Sequence, residues 1–387
     1  MTQPSNVIGV PEKEPFSGSY NKEDVTLLLE PIQFDAVDVA EKERLLQSGE
    51  LHYSEMISRE SPPPSEYMEF YFSALQRHKF RLAAEVVSLA GTISKARPEG
   101  TIVVVSLARA GTPIGVLLQR ALRRAQRDCE HYSVSIIRDR GIDYKALDDL
   151  RARFDDSQLI FVDGWTGKGT IQQELTRTIG HYNLERRARV SDDLAVLLDL
   201  SGNAQYRATS TDYLLPCGML NSIVSGLVSR SILSREHLGD TYHGCLFYAE
   251  YQERDESRNF VDEIDRVMLD SIDSTTTPGP NAGLVDPALE NPALENDPGV
   301  FAARRQFIER LLDRPYTDDW LKIKPGIGEA TRALLRRVPE TLFLRDPDAE
   351  DVQHLRTLAD ERDVAVEVLP DMPYEATTII RSLGKRG

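Results

Sequence analysis

The sequence predicts an α/β protein in two unequal parts, and three observations carry that expectation. Thr101–Leu118 and Leu159–Ile171 each begin as an apolar strand run, pass through a glycine-containing turn and enter a helical pattern. Asp270 to Val300 then interrupts the chain with Pro, Gly and Thr around a short tandem duplication, Asp286-Pro-Ala-Leu-Glu-Asn and Asn291-Pro-Ala-Leu-Glu-Asn. Beyond it, helix and strand signals alternate again as far as Ser382. With 387 residues, 41% hydrophobic and 28% charged, the chain has material for two cores.

Taken in order, residues 1–15 are polar, carry no signal-peptide core and are expected to be flexible, which leaves the cytoplasm as the default location. The first domain, residues 16–270, opens with Phe16-Ser-Gly-Ser-Tyr20 and Val25-Thr-Leu-Leu-Leu29, and Glu66 to Leu89 has the spacing of an amphipathic helix. In Thr101–Leu118 the turn holds Arg109 and Gly111, and Pro113 falls in the first helical turn, where its missing N–H costs little. Leu159, Ile160, Phe161 and Val162 read as a buried strand ending at Asp163, and the helix that begins near Thr170 is expected to end at Gly180 to Leu184. A further helix is expected over Leu220 to Leu233, headed by Pro216-Cys217-Gly218. Residues 271–300 contain five acids and no Lys or Arg, the composition of an acidic, Pro-rich flexible linker. In the second domain, residues 301–387, helices are expected at Phe301–Leu312, Ile327–Arg337 and Asp348–Arg362, and strands at Thr341–Leu344 and Ala365–Leu369.

The turn from Thr166 to Thr170 has the chemistry of a phosphate cradle. Gly167 and Gly169 allow the backbone to approach an anion, the next helix points its first N–H groups outward, and Thr166, Lys168 and Thr170 add donors or charge. The alternative is an ordinary strand-to-helix turn. An acid at its mouth, Asp163, suits hydroxyl groups beside the phosphate.

This strand, acid and Thr/Gly loop resemble the phosphoribosyl diphosphate (PRPP) motif of type I phosphoribosyltransferases, and the Thr101–Leu118 unit resembles the loop that precedes it there. The resemblance implies a parallel sheet with flanking helices, Asp163 on the ribose hydroxyls, and Thr166, Gly167, Lys168, Gly169 and Thr170 around the 5-phosphate. It implies also that Ala108, Arg109, Ala110 and Gly111 receive a Mg²⁺-bound diphosphate, and that His131 to Asp149 is a mobile flap bringing Arg138, Arg140 and Lys145 to it. Those three cations read equally well as a solvated loop face. Gly164 stands in the place of the motif's second acid, so the resemblance implies a rearranged ribose site.

In the second domain, Lys322-Ile-Lys-Pro-Gly-Ile-Gly-Glu-Ala-Thr-Arg, followed by Thr341-Leu-Phe-Leu-Arg-Asp-Pro-Asp-Ala, resembles the L7Ae/Pelota-type RNA-binding domain. Lys322, Lys324, Gly326, Gly328, Arg332 and Arg336 would then contact an RNA backbone at a helix start. A module for protein contacts is the alternative. The net charge is −16 for the whole chain, so a generally basic nucleic-acid surface is excluded and any RNA surface must be local.

In domain order, and in the segments His52-Tyr-Ser-Glu-Met, Val162-Asp-Gly-Trp-Thr-Gly-Lys-Gly and Leu215-Pro-Cys-Gly-Met-Leu-Asn-Ser, the chain is similar to phosphoribosyltransferase-like proteins of bacterial tellurium-resistance and stress gene clusters. That family also bears the label cysteine protease StiP, which implies a second chemistry. A cysteine peptidase needs a thiolate, a base and an orienting group. Cys217 with His243 or His52, oriented by Asn221 or Asp240, is the candidate set, against the plainer reading of a semi-buried thiol near a turn. Cys129, Cys217 and Cys245 lack CxxC spacing, which suggests neither a disulfide framework nor a protein-held metal. The expected activity is transfer of ribose 5-phosphate from PRPP to an unidentified, nucleobase-like acceptor, with peptidase action and RNA-linked ligand sensing as alternatives. The expected partners are a ribose phosphate, RNA through the second domain and a second copy of the chain, with no membrane.

Overall fold

A computed structural model describes residues 16–233, 241–273, 298–312, 317 and 319–381. The flexible N-terminus expected over 1–15, most of the 271–300 linker, and Asp240 lie outside the described residues.

The first domain is built on a seven-stranded, mostly parallel sheet. Its strands are β1 (Thr26–Leu28), β3 (Ile102–Ala108), β4 (Cys129–Ile137), β5 (Gly141–Ile142), β6 (Leu159–Thr166), β7 (Leu194–Asp199) and β8 (Tyr206–Thr209), while β2 (Glu30–Pro31) and β9 (Gly244–Cys245) form a separate parallel pair. The order across the sheet is β1-β4-β3-β6-β7-β8 with every neighbour parallel, and β5 returns antiparallel against the end of β4. Helices α1 (Val39–Ser48), α2 (Ser65–Ala96), α3 (Gly111–Arg124), α4 (Tyr144–Arg151), α5 (Thr170–Arg186), α6 (Pro216–Met219) and α7 (Ser257–Asp273) complete the domain. The strands read as continuous apolar runs because both faces are covered. Ile102, Val104, Ile160 and Val162 pack with α2, α3 and α7, and the intervening Val103, Val105, Leu159 and Phe161 pack with α4 and α5. The chain goes from β3 to β4 on one side and then to β6 on the other, so strand order reverses between β3 and β6. Ligands of open α/β sheets collect at such a switch, outside the carboxyl ends of the strands.

The second domain comprises α8 (Pro298–Leu312), β10 (Ile323–Pro325), α9 (Ile327–Arg336), β11 (Pro339–Leu344), α10 (Gln353–Glu361), β12 (Ala365–Val368) and β13 (Ala376–Ile380). Its four strands run β10-β13-β11-β12, with only β11 and β12 parallel. It is docked on the first domain through a continuous core in which Ile327, Leu334 and Phe343 join Trp165 and Leu200. Asp212 anchors the junction: its carboxylate accepts the Ile327 N–H at the start of α9 (3.1 Å) and the Glu375 N–H (2.9 Å). Asp351 ties it from the other side, accepting from Arg77 (2.7 Å) and from the Leu214 N–H (3.0 Å) and lying 2.8 Å from His78 Nε2.

Four expectations are corrected. No helix spans Leu220–Leu233: α6 is a single turn, and Gly226 and Leu227 take positive φ (80° and 58°), which an α-helix cannot contain. The apolar residues that mimicked a helical period, Ile223, Val224, Leu227, Val228 and Ile232, are all buried in an irregular segment. Helix α5 runs through Gly180 to Arg186, because Gly180 sits in open space with nothing forcing a stop. The expected flap, His131 to Asp149, is mostly regular structure, namely β4, a tight turn, β5 and α4. The linker is shorter than expected at both ends, since α7 reaches Asp273 and α8 begins at Pro298.

Candidate functional site

At the carboxyl end of β6 the chain turns through Gly167-Lys168-Gly169 into α5. Gly169 has φ +78°, and a Cβ there would lie 2.1 Å from the Asn203 side chain, so glycine is required both by conformation and by space. The Thr166 hydroxyl donates to Asp199 (2.5 Å), whose carboxylate also accepts the N–H groups of Ser201, Gly202 and Ala204. Thr166 and Asp199 thereby lock the phosphate-type loop to the turn after β7. No side chain caps α5, so its first N–H groups remain available to an anion.

The second domain closes over this loop. A cavity of about 370 Å³ is lined on one side by Asp163 and by Trp165 through Ile171, and on the other by Lys324, Pro325, Glu329, Arg332, Arg336 and Arg337. Its remaining wall includes Lys42, Tyr53, Arg138 and Arg230. Lys42, Arg138, Lys168, Arg230, Lys324, Arg332, Arg336 and Arg337 are cationic, against only two carboxylates, Asp163 and Glu329. In a chain of net charge −16 this concentration of positive charge is a local construction. Part of it is neutralised within the protein, since Arg337 forms a two-pronged pair with Glu43 (2.8 and 2.9 Å). The ammonium groups of Lys42 and Lys324 form no hydrogen bond or ion pair with the described residues.

Enclosure raises the stakes of each charge. Burial, with Lys324 nearby, lowers the Lys168 ammonium to about 7, and burial lowers Lys42 to about 8 and Arg336 to about 9. Burial pushes the Asp163 carboxyl up to about 6 against the pull of Arg332. Burial alone would raise Glu329 as well, but Arg332, Lys324 and Lys168 hold it below the usual carboxylate range. Between pH 6 and 8, Lys168 loses its proton and Asp163 completes its ionisation, and both changes make the cavity less positive. Sulfate, whose charge is constant over this range, is therefore expected to raise the melting temperature more at pH 6 than at pH 8, with Lys168→Ala flattening the difference. A shift that is equal at both values would contradict this electrostatic picture.

The predicted site residues divide cleanly. Asp163, Thr166, Gly167, Lys168, Gly169, Thr170 and Arg138 meet at the cavity, as do Lys324, Arg332 and Arg336. The residues expected to face RNA are thus turned toward the phosphate-type loop. Gly326 and Gly328 serve packing: a Cβ at Gly326 would strike Leu200 at 2.4 Å, and one at Gly328 the Trp165 indole at 2.8 Å. Arg332 stacks on that indole, 4.1 Å from its centroid. Lys322 precedes β10 and does not line the cavity.

The turn Ala108-Arg109-Ala110-Gly111 does not line the cavity either, contrary to its expected role as a diphosphate loop. Arg109 is buried, paired to Glu60 through both terminal nitrogens (2.9 and 2.5 Å), and donates to the Val228 carbonyl (2.7 Å). Burial alone would raise Glu60, but Arg109 and Arg336 hold it at about 2. Gly111 is needed where α3 crosses β6, since a Cβ would meet the Val162 carbonyl oxygen at 2.4 Å. Arg140 lies at the surface, 3.7 Å from Glu55, and Lys145 pairs with Asp149 on α4 (2.5 Å), so neither reaches the cavity.

The peptidase set is not assembled. Cys217 is buried, its thiol is pushed up to about 12 by burial, and the charges that reach it are Arg332 and Asp163. Nδ1 of His243 lies 2.7 Å from the Ser135 hydroxyl, Nδ1 of His52 lies 2.8 Å from the Ser54 hydroxyl, and Asn221 accepts from Arg336. Among the described residues none of these three side chains hydrogen-bonds to Cys217, and burial disfavours the thiolate that a peptidase needs.

With the geometry in hand, kinship can be stated. A family described as "Tellurite-like stress resistance cysteine protease StiP" matches residues 18–265, well over half of the chain. The chain belongs to the StiP family. It is 42% identical over 384 residues to a StiP relative named "Cysteine protease StiP" from Acinetobacter baylyi, with 96% of each chain covered. Residues 302–382 of this StiP member match the "PELOTA RNA binding domain". Among solved structures, hypoxanthine phosphoribosyltransferase from Trypanosoma cruzi in complex with IMP is 14% identical over 35% of this chain and 80% of its own, with a TM-score of 0.28. The HGPRT-ase from Leishmania tarentolae in complex with GMP is 14% identical over 44% of this chain and 93% of its own, with a TM-score of 0.28. At that level of superposition these two likenesses decide nothing about the StiP site.

Sequence reasoning missed Lys42, Tyr53, Trp165, Arg230, Glu329 and Arg337. They come from α1, the segment before α2, β6, the irregular stretch after α6, and α9, and no local spacing announces that these segments converge. Among the described residues, no helix is long and apolar enough to cross a membrane.

Proposed function

We propose that this chain binds a ribose 5-phosphate ligand carrying further phosphates, PRPP foremost, and transfers its phosphoribosyl group to a nucleobase-like acceptor. The observation that carries the reading is the cavity itself: an uncapped helix start and glycine loop at the sheet's switch point, faced by eight cations and two carboxylates. One phosphate ester brings only about two negative charges. A cavity this positive suits a ligand with more than one phosphate. The Gly167–Thr170 loop would hold the 5-phosphate and Asp163 a ribose hydroxyl, leaving Lys42, Arg138 and Arg230 for the diphosphate. Departure of diphosphate from C1 builds positive charge on the sugar, so catalysis here amounts to positioning and stabilising the leaving group.

Among the described residues no group of three His, Cys, Asp or Glu side chains could hold a metal ion. Mg²⁺ that arrives with diphosphate needs only one or two protein carboxylates besides substrate oxygens and water. Asp163 would supply one, and the ion's contribution would be to neutralise the leaving group. The match to an RNA-binding family makes RNA a second ligand class, but Lys324, Arg332 and Arg336 line a cavity shared with the phosphate-type loop of the first domain. We therefore assign them to the phosphates of a nucleotide-sized ligand, acting within the tellurite-like stress response that the family description names.

The relative's name favours peptidase action, for which Cys217 is the candidate nucleophile. The two readings separate in one experiment on the full chain. PRPP with Mg²⁺ is expected to bind by titration calorimetry, and to release diphosphate when acceptor bases are supplied, in both wild type and Cys217→Ser. Absence of PRPP binding, together with a proteolytic activity lost in Cys217→Ser, would overturn the transferase reading.

A further inference from the structure

Glu329 is the one carboxylate that the second domain places in the cavity, and a site built only for phosphates has no use for it. Its stem reaches the phosphate-type loop: a Cβ on Gly167 would lie 3.0 Å from Glu329 Cγ. Its only ion pair is with Arg332, at 3.5 Å, too long for a strong hydrogen bond, and no donor among the described residues hydrogen-bonds to it. Glu329 lines the cavity with its side chain 29% exposed, so it keeps acceptor capacity for a ligand. Asp163, on β6 and lining the same cavity, accepts among the described residues only the Gly164 N–H (2.8 Å). The cavity thus joins one anion-binding loop to two carboxylates with unfilled acceptor positions. A molecule that satisfies all three carries a phosphate and neighbouring hydroxyls.

We propose that Glu329 is a ligand-binding residue that accepts a hydrogen bond from a ribose hydroxyl, opposite Asp163, so that the second domain selects ribose over deoxyribose phosphates. This rests on the anion-site reading above and adds to it the sugar specificity and the domain that supplies it. Gly164, with no side chain, leaves that position on β6 without an acid, and Glu329 approaches from α9 to serve the same cavity.

Ribose 5-phosphate, 2-deoxyribose 5-phosphate and inorganic phosphate are titrated separately into the full chain without metal. Wild type is expected to prefer ribose 5-phosphate over its deoxy analogue by about tenfold, the worth of one hydrogen bond to a charged group. In Glu329→Gln the preference is expected to shrink to about threefold or less, while inorganic phosphate binds as well as before or better because a negative charge is gone. A Glu329 that only neutralises its cationic neighbours would leave the ratio unchanged, and that result would overturn the proposal. So would equal binding of the two sugars by wild type. Failure of wild type to bind any of the three would instead sink the anion-site reading itself. Should Glu329→Gln melt at a lower temperature, Glu329→Asp keeps the charge, withdraws the carboxylate by one methylene and carries the same ratio test.

Discussion

Arg109→Met is expected to cost about 3–5 kcal/mol in chemical denaturation while changing PRPP affinity by less than about threefold. Both partners of the Arg109–Glu60 pair are largely buried, with side chains 6% and 13% exposed, so removing the arginine strands an ionised carboxylate in a medium that solvates it poorly. The second substitution locates the cause. Glu60→Gln added to Arg109→Met is expected to recover much of the loss, because the stranded charge disappears. If Arg109 were a diphosphate ligand, the pattern would reverse: little change in stability and a loss of PRPP affinity of tenfold or more.

Lys168→Ala combined with Lys324→Ala is expected to act in the opposite sense. The two ammonium groups come from different domains, and burial lowers the pKa of each, helped by Lys324 at Lys168 and by Arg337 and Arg138 at Lys324. Without a ligand, their burial among like charges works against the one bond Lys168 Nζ donates to the Trp320 carbonyl, so the double variant is expected to melt at no lower a temperature than wild type. With PRPP present each supplies a charge-assisted contact to phosphate, about 1.5–3 kcal/mol apiece, so affinity should fall by about 100-fold or more. Calorimetry and thermal unfolding on the same samples check both halves. A double variant that is less stable and binds normally would show that the lysines support packing. Such a trade between stability and ligand binding is common where a site concentrates like charges.

The parts of the fold legible in the sequence were those with a short-range cause. Strands β3 and β6 announced themselves because a parallel strand covered on both faces is a continuous apolar run, and Gly167 and Gly169 marked the loop because glycine there permits close backbone approach. What misled was chemistry that looks alike on different backbones. Arg109 beside Gly111 reads as an anion loop until Glu60, distant in sequence, is seen to claim the guanidinium. The basic start of α9 reads as an RNA surface until Asp212 is found capping it and Trp165 filling the space at Gly328. Buried apolar residues from Ile223 to Ile232 mimic a helical period, although Gly226 and Leu227 carry positive φ. The convergence of two separately read signals, the phosphate-type loop and the basic helix, depends on domain docking, for which a single sequence contains no local pattern.

The most direct measurement is the structure of the full chain crystallised with PRPP and Mg²⁺. The 5-phosphate is expected against the N–H groups at the start of α5, with Lys324 and Arg332 of the second domain within reach of the ligand and Arg109 still paired to Glu60. A ligand bound at the Ala108–Gly111 turn, or one touching the first domain alone, would contradict a site shared between the two domains.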